Sequence, residues 1–139
     1  GQAAMEVEAL IVQIAPSVGY NATVSDQGVI CWGPLWAALI AAIKAGVDHS
    51  MIAARFHAGL VAVLADCAAR VASDAKTTRI ILSGGVMQNR VLHDQLGQTL
   101  RERGYNVLTH KHLPANDAGV AFGQAVHAAT IHGAMHQSD

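Results

Sequence analysis

From residue 79 onward the chain alternates between short apolar runs and longer helical stretches, and this alternation constrains the fold more than any other feature. The apolar periodicity predicts strand 79–83, helix 88–103, strand 106–109 and helix 116–131. The linking turns are short, and a strand–helix–strand order places the two strands side by side and parallel. The sequence therefore predicts a helix-rich α/β fold with a βαβα core.

The residues before this core are predicted to be mostly helical, with one extended region. Pro34 is favourable at a helix start, and Gly46 ends that helix. The predicted elements are helix 1–15, extended segments within 20–32 that suit a hairpin, helix 34–44, and a long helix from Asp48 or Ser50 to about Ser73. The apolar stripe of the long helix is Ile52, Phe56, Leu60, Val63, Cys67 and Val71.

Two parallel strands are too few for a stable sheet, because parallel strands are normally buried on both faces and have neighbours. Either residues 20–32 join the sheet, or further strands lie upstream of Gly1. We favour the second, since the chain starts directly in helical sequence without a Met. This start predicts that residues 1–139 are one piece of a longer protein.

The segment from Arg79 to Arg90 reads as a buried strand, a tight Gly84-Gly85 turn and a helix opening near Gln88. Backbone N–H groups at such a turn and helix start are unpaired, which suits an anion or the ribose-phosphate of a nucleotide. The spacing matches neither a P-loop nor a G-x-G-x-x-G fingerprint, so a purely structural turn is the alternative. Asn89 either reads a base or ribose edge or caps the helix.

A second polar turn, Leu113-Pro-Ala-Asn-Asp-Ala-Gly119, follows the second strand. We predict that Asn116 is a helix N-cap. Asp117 is favoured at the first helical turn by the helix dipole. Alternatively, it is a metal ligand that faces the same cleft as the Ser83–Asn89 turn, at the edge of the sheet where both strands end. His57, flanked by apolar neighbours on its helix, is predicted to be a hydrogen-bonded core residue rather than a catalyst.

Composition disfavours several classes of protein. The net charge of −1 provides no strong field for nucleic acid or an anionic membrane. The two cysteines, Cys31 and Cys67, form no C-x-x-C pair, and nothing suggests a secreted disulfide framework. The apolar run from Cys31 to Ile43 is broken by Gly and Pro and is too short to span a bilayer. A soluble cytoplasmic protein is therefore expected.

Four sequence blocks together resemble the C-terminal part of HypF, the carbamoyltransferase family of nickel–iron hydrogenase maturation. The blocks are Gly1–Glu8 (GQAAMEVE), Ala54–His57 (ARFH), Leu82–Arg90 (LSGGVMQNR) and Leu113–Gln124 (LPANDAGVAFGQ). More distantly, the chain is similar to the TsaD-type tRNA threonylcarbamoyladenosine synthases, which share the SGGV-x-x-N-R and D-x-G elements. The resemblance implies an incomplete lobe of the actin/Hsp70-like (ASKHA, ribonuclease H-like) ATPase fold.

The resemblance also implies site residues. By analogy with these families, Gly1 and Asn89 contact the adenosine part of a nucleotide, and Gly84 and Gly85 allow its close approach. Asp117 completes a site for a divalent metal of unknown identity. The chain would be the C-terminal lobe of the carbamoyl-transfer domain. No catalytic residue is assigned.

The parent reaction implied by the resemblance starts from carbamoyl phosphate and ATP and passes through carbamoyl-adenylate. The carbamoyl group is then transferred to the C-terminal Cys of a HypE-like partner, for synthesis of the cyanide ligands of the hydrogenase iron. We expect residues 1–139 alone to bind adenine nucleotides weakly or undetectably and to be inactive, because part of a pocket loses contacts and preorganisation.

Two other functions remain as alternatives. One is a non-catalytic interaction module that folds against another lobe or a second copy. The other is a TsaD-like tRNA carbamoyl-transfer enzyme, against which the near-neutral charge argues. Unpaired strand edges and the Ala- and Gly-rich helix 116–131 also predict self-association into a dimer or higher oligomer.

Overall fold

The structure is a computed structural model that describes residues 2–11, 18–111, 113 and 116–135. Its helices and strands alternate in the order that the periodicity predicts, which confirms an α/β fold. The elements are α1 (Gln2–Ala9), β1 (Thr23–Val24), β2 (Ile30–Cys31), α2 (Gly33–Lys44), α3 (His49–Asp74), β3 (Arg79–Leu82), α4 (Arg90–Glu102), β4 (Asn106–Thr109) and α5 (Val120–Met135). Short 3-10 turns at Gly85–Gln88 and Asp117–Gly119 precede α4 and α5.

Strands β3 and β4 pair in parallel, as predicted. The register begins with Arg79 opposite Asn106 and ends with Leu82 opposite Thr109. Because the strands run in the same direction, both carboxyl ends lie at one edge of the sheet. The turns that follow the two strands therefore start side by side.

One face of this sheet packs on α3 and α4. The buried residues of this first core cluster are Val61, Ala65, Leu82, Leu92, Leu96 and Leu100. Ile80 and Val107 point to the same face and pack against the cluster. On the opposite face, Ile81 and Leu108 are 68% and 44% exposed. Within the described residues, only one face of the parallel sheet is covered.

Strands β1 and β2 form a separate antiparallel hairpin, with Thr23 opposite Cys31 and Val24 opposite Ile30. The predicted hairpin is confirmed, but the alternative that residues 20–32 extend the parallel sheet is wrong. The reason is a tether to α3, where the Arg70 guanidinium donates hydrogen bonds to the backbone oxygens of the hairpin turn. The prediction of further strands upstream of Gly1 remains untested.

A second core cluster joins the loop before β1 to α2 and α3. Its buried residues are Tyr20, Leu35, Ala42 and Ile52. The loop crosses α3 closely, since the Tyr20 N–H donates to the Arg55 oxygen at 3.0 Å. A Cβ placed on Gly59 would lie 2.2 Å from the Tyr20 oxygen. A glycine at position 59 is therefore required for this crossing.

Helix α3 begins after Asp48, which resolves the two predicted caps in favour of Asp48. Hydrogen bonds from the Ser50 hydroxyl, and from the N–H groups of Ser50 and Met51, lower the pKa of the Asp48 carboxyl. The predicted stripe is wrong at Val71, which is 65% exposed, whereas Ala72 is buried. Repeated steps of four residues exceed the 3.6-residue turn, so the stripe winds away from the core.

By length and hydropathy, α3 is the one helix among the described residues that meets the criteria for a membrane span. Much of its apolar surface is buried against α2, α4 and the sheet. It also carries Arg55, Asp66 and Arg70 on its exposed side. These features are those of a central core helix.

The two terminal helices differ from their predictions. Helix α1 ends at Ala9, and the rest of predicted helix 1–15 beyond Ile11 lies outside the described residues. In α5 every side chain from Val120 to Ile131 is exposed. A Cβ on Gly123 would meet nothing within 4 Å, so no other part of the described chain packs closely on α5 at this position.

Candidate functional site

The turn after β3 depends on one glycine conformation. Gly84 has φ +99° and ψ 159°, a region that residues with a Cβ rarely adopt. The chain then makes the 3-10 turn Gly85–Gln88, closed by the Met87 N–H donating to the Gly84 oxygen at 3.0 Å. Helix α4 consequently begins at Arg90, two residues later than predicted.

Two of the first three N–H groups of α4 already have protein acceptors, which corrects in part the expectation of a free helix terminus. The Asn89 Oδ1 accepts from the Leu92 N–H at 2.8 Å, so Asn89 is a helix cap. The Glu8 carboxylate of α1 accepts from the Arg90 N–H at 2.7 Å. Among the described residues, the N–H groups of Gly84 and Gly85 have no acceptor. Unpaired donors therefore lie mainly in the glycine turn, and the Val91 N–H is the one donor in the first turn of α4 without an acceptor among the described residues.

A cleft of about 360 Å³ opens at the carboxyl edge of β3 and β4, beside this turn. It combines apolar walls with cationic and amide groups that suit a polar, anionic ligand. Its lining residues are Leu82, Met87, Gln88, Arg90, His93, Asp94, His110 and Leu113. Three of these residues, Arg90, His93 and His110, were not predicted from the sequence as site residues. Their positions in the sequence could have indicated them, since Arg90 and His93 are three residues apart at the start of α4 and His110 directly follows β4.

Two hydrogen bonds shape the cleft. The Ser83 Oγ and the His110 Nε2 are 2.8 Å apart, which joins the residues directly after β3 and β4. On α4, the His93 Nδ1 lies 2.9 Å from an Asp94 carboxylate oxygen. The two strand ends are thus held together by side chains as well as by the backbone ladder.

Asn89 has a second partner besides the helix backbone. Its Nδ2 lies 2.9 Å from the Nε2 of His57, and the His57 Nδ1 lies 3.0 Å from the Ala53 oxygen. The His57 side chain is 2% exposed, so the prediction of a hydrogen-bonded core histidine is confirmed. Capping does not use all of the Asn89 amide, because one N–H and one oxygen lone pair remain.

Asp117 is exposed and opens the 3-10 turn before α5. The Asn116 Oδ1 accepts from the Ala118 N–H at 3.1 Å, which confirms Asn116 as an N-cap. Asp117 does not line the cleft that the described residues form, and its approach to the Gly84-Gly85 turn remains a prediction. Gly1, the fourth predicted nucleotide contact, lies outside the described residues.

The described residues do not by themselves fit a metal site. No group of three or more His, Cys, Asp or Glu side chains among them converges on one position. Asp117 contributes at most one ligand, and a divalent ion would need others from outside the described residues.

Comparisons with known proteins show the family to which the sequence and the fold are similar. A family model described as "Carbamoyltransferase, Kae1-like Domain, second subdomain" matches residues 1–124. The carbamoyltransferase HypF of Rhizobium leguminosarum bv. viciae is 39% identical over 94% of this chain, and HypF of Rhodobacter capsulatus is 33% identical over 93%. A crystal structure of full-length HypF in the phosphate- and nucleotide-bound form is similar, with a TM-score of 0.81 and 33% identity over 94% of this chain.

The chain spans only a small part of these relatives. It covers 17% of the Rhizobium protein, 16% of the Rhodobacter protein and 17% of the crystallised HypF chain. The similarity therefore concerns one subdomain, and the activity of a whole enzyme of this kind is a separate question.

Proposed function

The chain belongs to the HypF carbamoyltransferase family, and we propose that it forms one side of the nucleotide site in a carbamoyl-transfer domain. The fold that we propose for the complete domain is the actin/Hsp70-like (ASKHA) ATPase fold, of which residues 1–139 form the C-terminal lobe. The observation that carries the proposal is the Gly84-Gly85 turn, with its unpaired N–H groups beside a polar cleft.

Two features of the turn and one related structure support a nucleotide ligand. The unpaired N–H groups of Gly84 and Gly85 suit phosphate or ribose oxygens, and the missing side chains allow close approach. Asn89 offers a free N–H and a free lone pair, a pair of groups that can read an adenine or ribose edge. A related HypF structure, 33% identical, is in a phosphate- and nucleotide-bound form. These features support ATP, or the carbamoyl-adenylate made from it, as the ligand.

The proposed parent reaction is carbamoyl transfer. Carbamoyl phosphate, ATP and water give carbamoyl-adenylate with release of phosphate and pyrophosphate. The thiol of the C-terminal Cys of a HypE-like partner then loses its proton and accepts the carbamoyl group as AMP leaves. The described residues would bind and orient the adenosine part and exclude water from it. A metal held partly by Asp117 would stabilise negative charge when bound. We propose a cytoplasmic location, where these soluble substrates are available.

Nucleotide titration monitored by amide NMR tests this function. We expect AMP and ATP to bind the isolated chain with a Kd of about 1 mM or weaker, since the chain provides only part of a pocket. The shifted amides should cluster in residues 83–89. We expect no carbamoyl transfer by the isolated chain. Micromolar ATP binding would contradict the partial pocket, and shifts confined to other regions would contradict a nucleotide site at the Gly84-Gly85 turn.

Substitutions at Asn89 separate its two roles. Asn89→Ala removes both the helix cap and the amide, whereas Asn89→Ser keeps a cap and removes only the amide. We expect both variants to weaken nucleotide binding about fivefold, the effect of one lost hydrogen bond. Gln98→Ala, on the exposed side of α4, is the control and should bind like the parent chain. Unchanged affinity in Asn89→Ser would show that Asn89 is only a cap.

We also propose that the isolated chain self-associates. Exposed apolar side chains on α5 and on the open sheet face favour a dimer or a higher oligomer. They include Ile81, Leu108, Val120, Phe122, Val126 and Ile131. Light scattering during size-exclusion chromatography over a dilution series should therefore give a mass above that of the monomer at high concentration.

Phe122→Glu on α5 should raise the concentration needed for half-association about tenfold, because it places a charge at an apolar contact. Gln124→Glu introduces the same charge nearby and should have little effect. A single monomeric species of the parent chain at every concentration would contradict the proposal.

A further inference from the structure

His57 is the one fully buried polar side chain among the described residues, at 2% exposure. It is a residue of α3, and its ring lies edge-on to the ring of Phe56 at a centroid distance of 5.6 Å. Burying an imidazole without partners is costly. Both ring nitrogens nevertheless have partners, and one of these partners is the Asn89 side chain.

The directions of these hydrogen bonds are fixed by two backbone groups. The Ala53 carbonyl can only accept, so the His57 Nδ1 must carry the proton. The Leu92 N–H can only donate, so the Asn89 oxygen must face α4. The Asn89 Nδ2 then donates to the bare Nε2 of His57. The chain of three bonds permits only one tautomer of the ring and only one orientation of the amide.

From this geometry we propose that His57 is a positioning residue that orients the Asn89 amide for a nucleotide at the Gly84-Gly85 turn. The inference rests on the proposed nucleotide function of this turn. With one Asn89 N–H held by His57 and one lone pair held by Leu92, the free N–H and the free lone pair have fixed directions. The amide cannot rotate without breaking one of the two bonds.

The choice of residue at position 89 supports this role over capping alone. Ser, Asp and Asn are about equally good helix caps. When the His57 ring is neutral, its bare Nε2 needs a donor. Of these three residues, only Asn has both an oxygen that accepts from the Leu92 N–H and an N–H that donates to Nε2. A residue that only caps α4 would not need the side-chain N–H that donates to His57. The Nδ1 of a buried histidine can be satisfied by the backbone of its own helix.

The hydrogen-bond geometry can be tested without any nucleotide. In ¹⁵N-labelled protein, two-bond ¹H–¹⁵N correlation spectra at neutral pH should show His57 protonated at Nδ1 and bare at Nε2. A scalar coupling should connect the Asn89 Nδ2 with the His57 Nε2 across the N–H···N bond. A proton on Nε2, or the absence of the coupling, would overturn the proposal whatever the chain binds.

Two variants of similar size test the functional consequence. His57→Gln retains an acceptor near the position of Nε2, whereas His57→Met fills the space without one. In the AMP titration, we expect His57→Met to weaken binding about fivefold, the effect of one lost or misdirected hydrogen bond, and His57→Gln to remain within twofold of the parent chain. Amide spectra establish beforehand that each variant is folded. If the Met variant is unfolded, the scalar coupling between Asn89 and His57 in the unsubstituted chain tests the proposal instead.

The possible failures of the two proposals differ. If AMP shifts amides of the unsubstituted chain only outside residues 83–89, the nucleotide function is wrong, and the positioning role is wrong with it. If AMP binds there but the Gln and Met variants have the parent affinity, only the positioning role is wrong. Loss of affinity in both variants would also contradict it, because a retained acceptor should preserve binding.

Discussion

Replacing Gly59 by Ala is expected to destabilise the protein by about 3 kcal/mol or more, the largest effect that we predict for a single methyl group. The added Cβ would lie 2.2 Å from the Tyr20 carbonyl oxygen. That carbonyl cannot withdraw easily, because the Tyr20 N–H is bonded to the Arg55 oxygen and the Tyr20 side chain is buried. Alanine favours a helix by only about 1 kcal/mol over glycine, so the collision outweighs the gain.

The measurement is thermal unfolding by circular dichroism, in which Gly59→Ala should lower the Tm by roughly 10 °C. Gly97→Ala is the matched control, since Gly97 is also a buried helical glycine. Its added Cβ would meet only the tip of the Arg101 side chain, at 3.1 Å, and that flexible group can move. The control should be unchanged or up to about 1 kcal/mol more stable. Equal Tm values for the two variants would contradict the close crossing at Gly59.

Truncation of Leu100 is the second large effect, with an expected loss of about 3 kcal/mol in the free energy of unfolding. Leu100 is 0% exposed and lies in the cluster that joins α3, α4 and the parallel sheet. Leu100→Ala would remove buried methyl groups and leave a cavity that the packed helices fill only in part. The cluster supports the floor of the cleft, through Leu82 and Met87.

Urea denaturation of Leu100→Ala and Leu108→Ala compares the covered side of the parallel sheet, where Leu100 of α4 packs, with its open face, where Leu108 lies. Leu108 is 44% exposed on the open face, so its truncation should cost less than about 1 kcal/mol. Similar losses from both substitutions would mean that the open face is covered in solution, for example by a second copy of the chain.

The features that sequence reasoning predicted well depend on neighbours along the chain. Apolar periodicity predicted β3 and β4, their parallel order and the hairpin within 20–32, because each pattern reports burial within one element. The Asn116 cap also followed from local chemistry. Val71 was the exception, since a regular stripe in sequence does not stay on one face of a long helix.

The features that it missed depend on contacts between distant residues. Nothing local to Glu8 indicates that its carboxylate accepts from the Arg90 N–H at the start of α4. For the same reason the Arg90 and Leu92 N–H groups were predicted to be free for an anion, when side chains already bond to them. Asn89 was predicted to be either a cap or a nucleotide contact. It is a cap, and its bond to the distant His57 was not predicted.

Helix α3 contributes to both core clusters, with Ile52 in the cluster beside α2 and Val61 and Ala65 in the cluster beneath the sheet. A helix of 26 residues is roughly 39 Å long, so it spans the distance between them as one rigid rod. Opening either cluster removes packing from part of α3 and weakens the support of the other. We therefore expect the two clusters to unfold as one cooperative unit, so that a substitution beside α2 also lowers the stability of the region that supports the glycine turn.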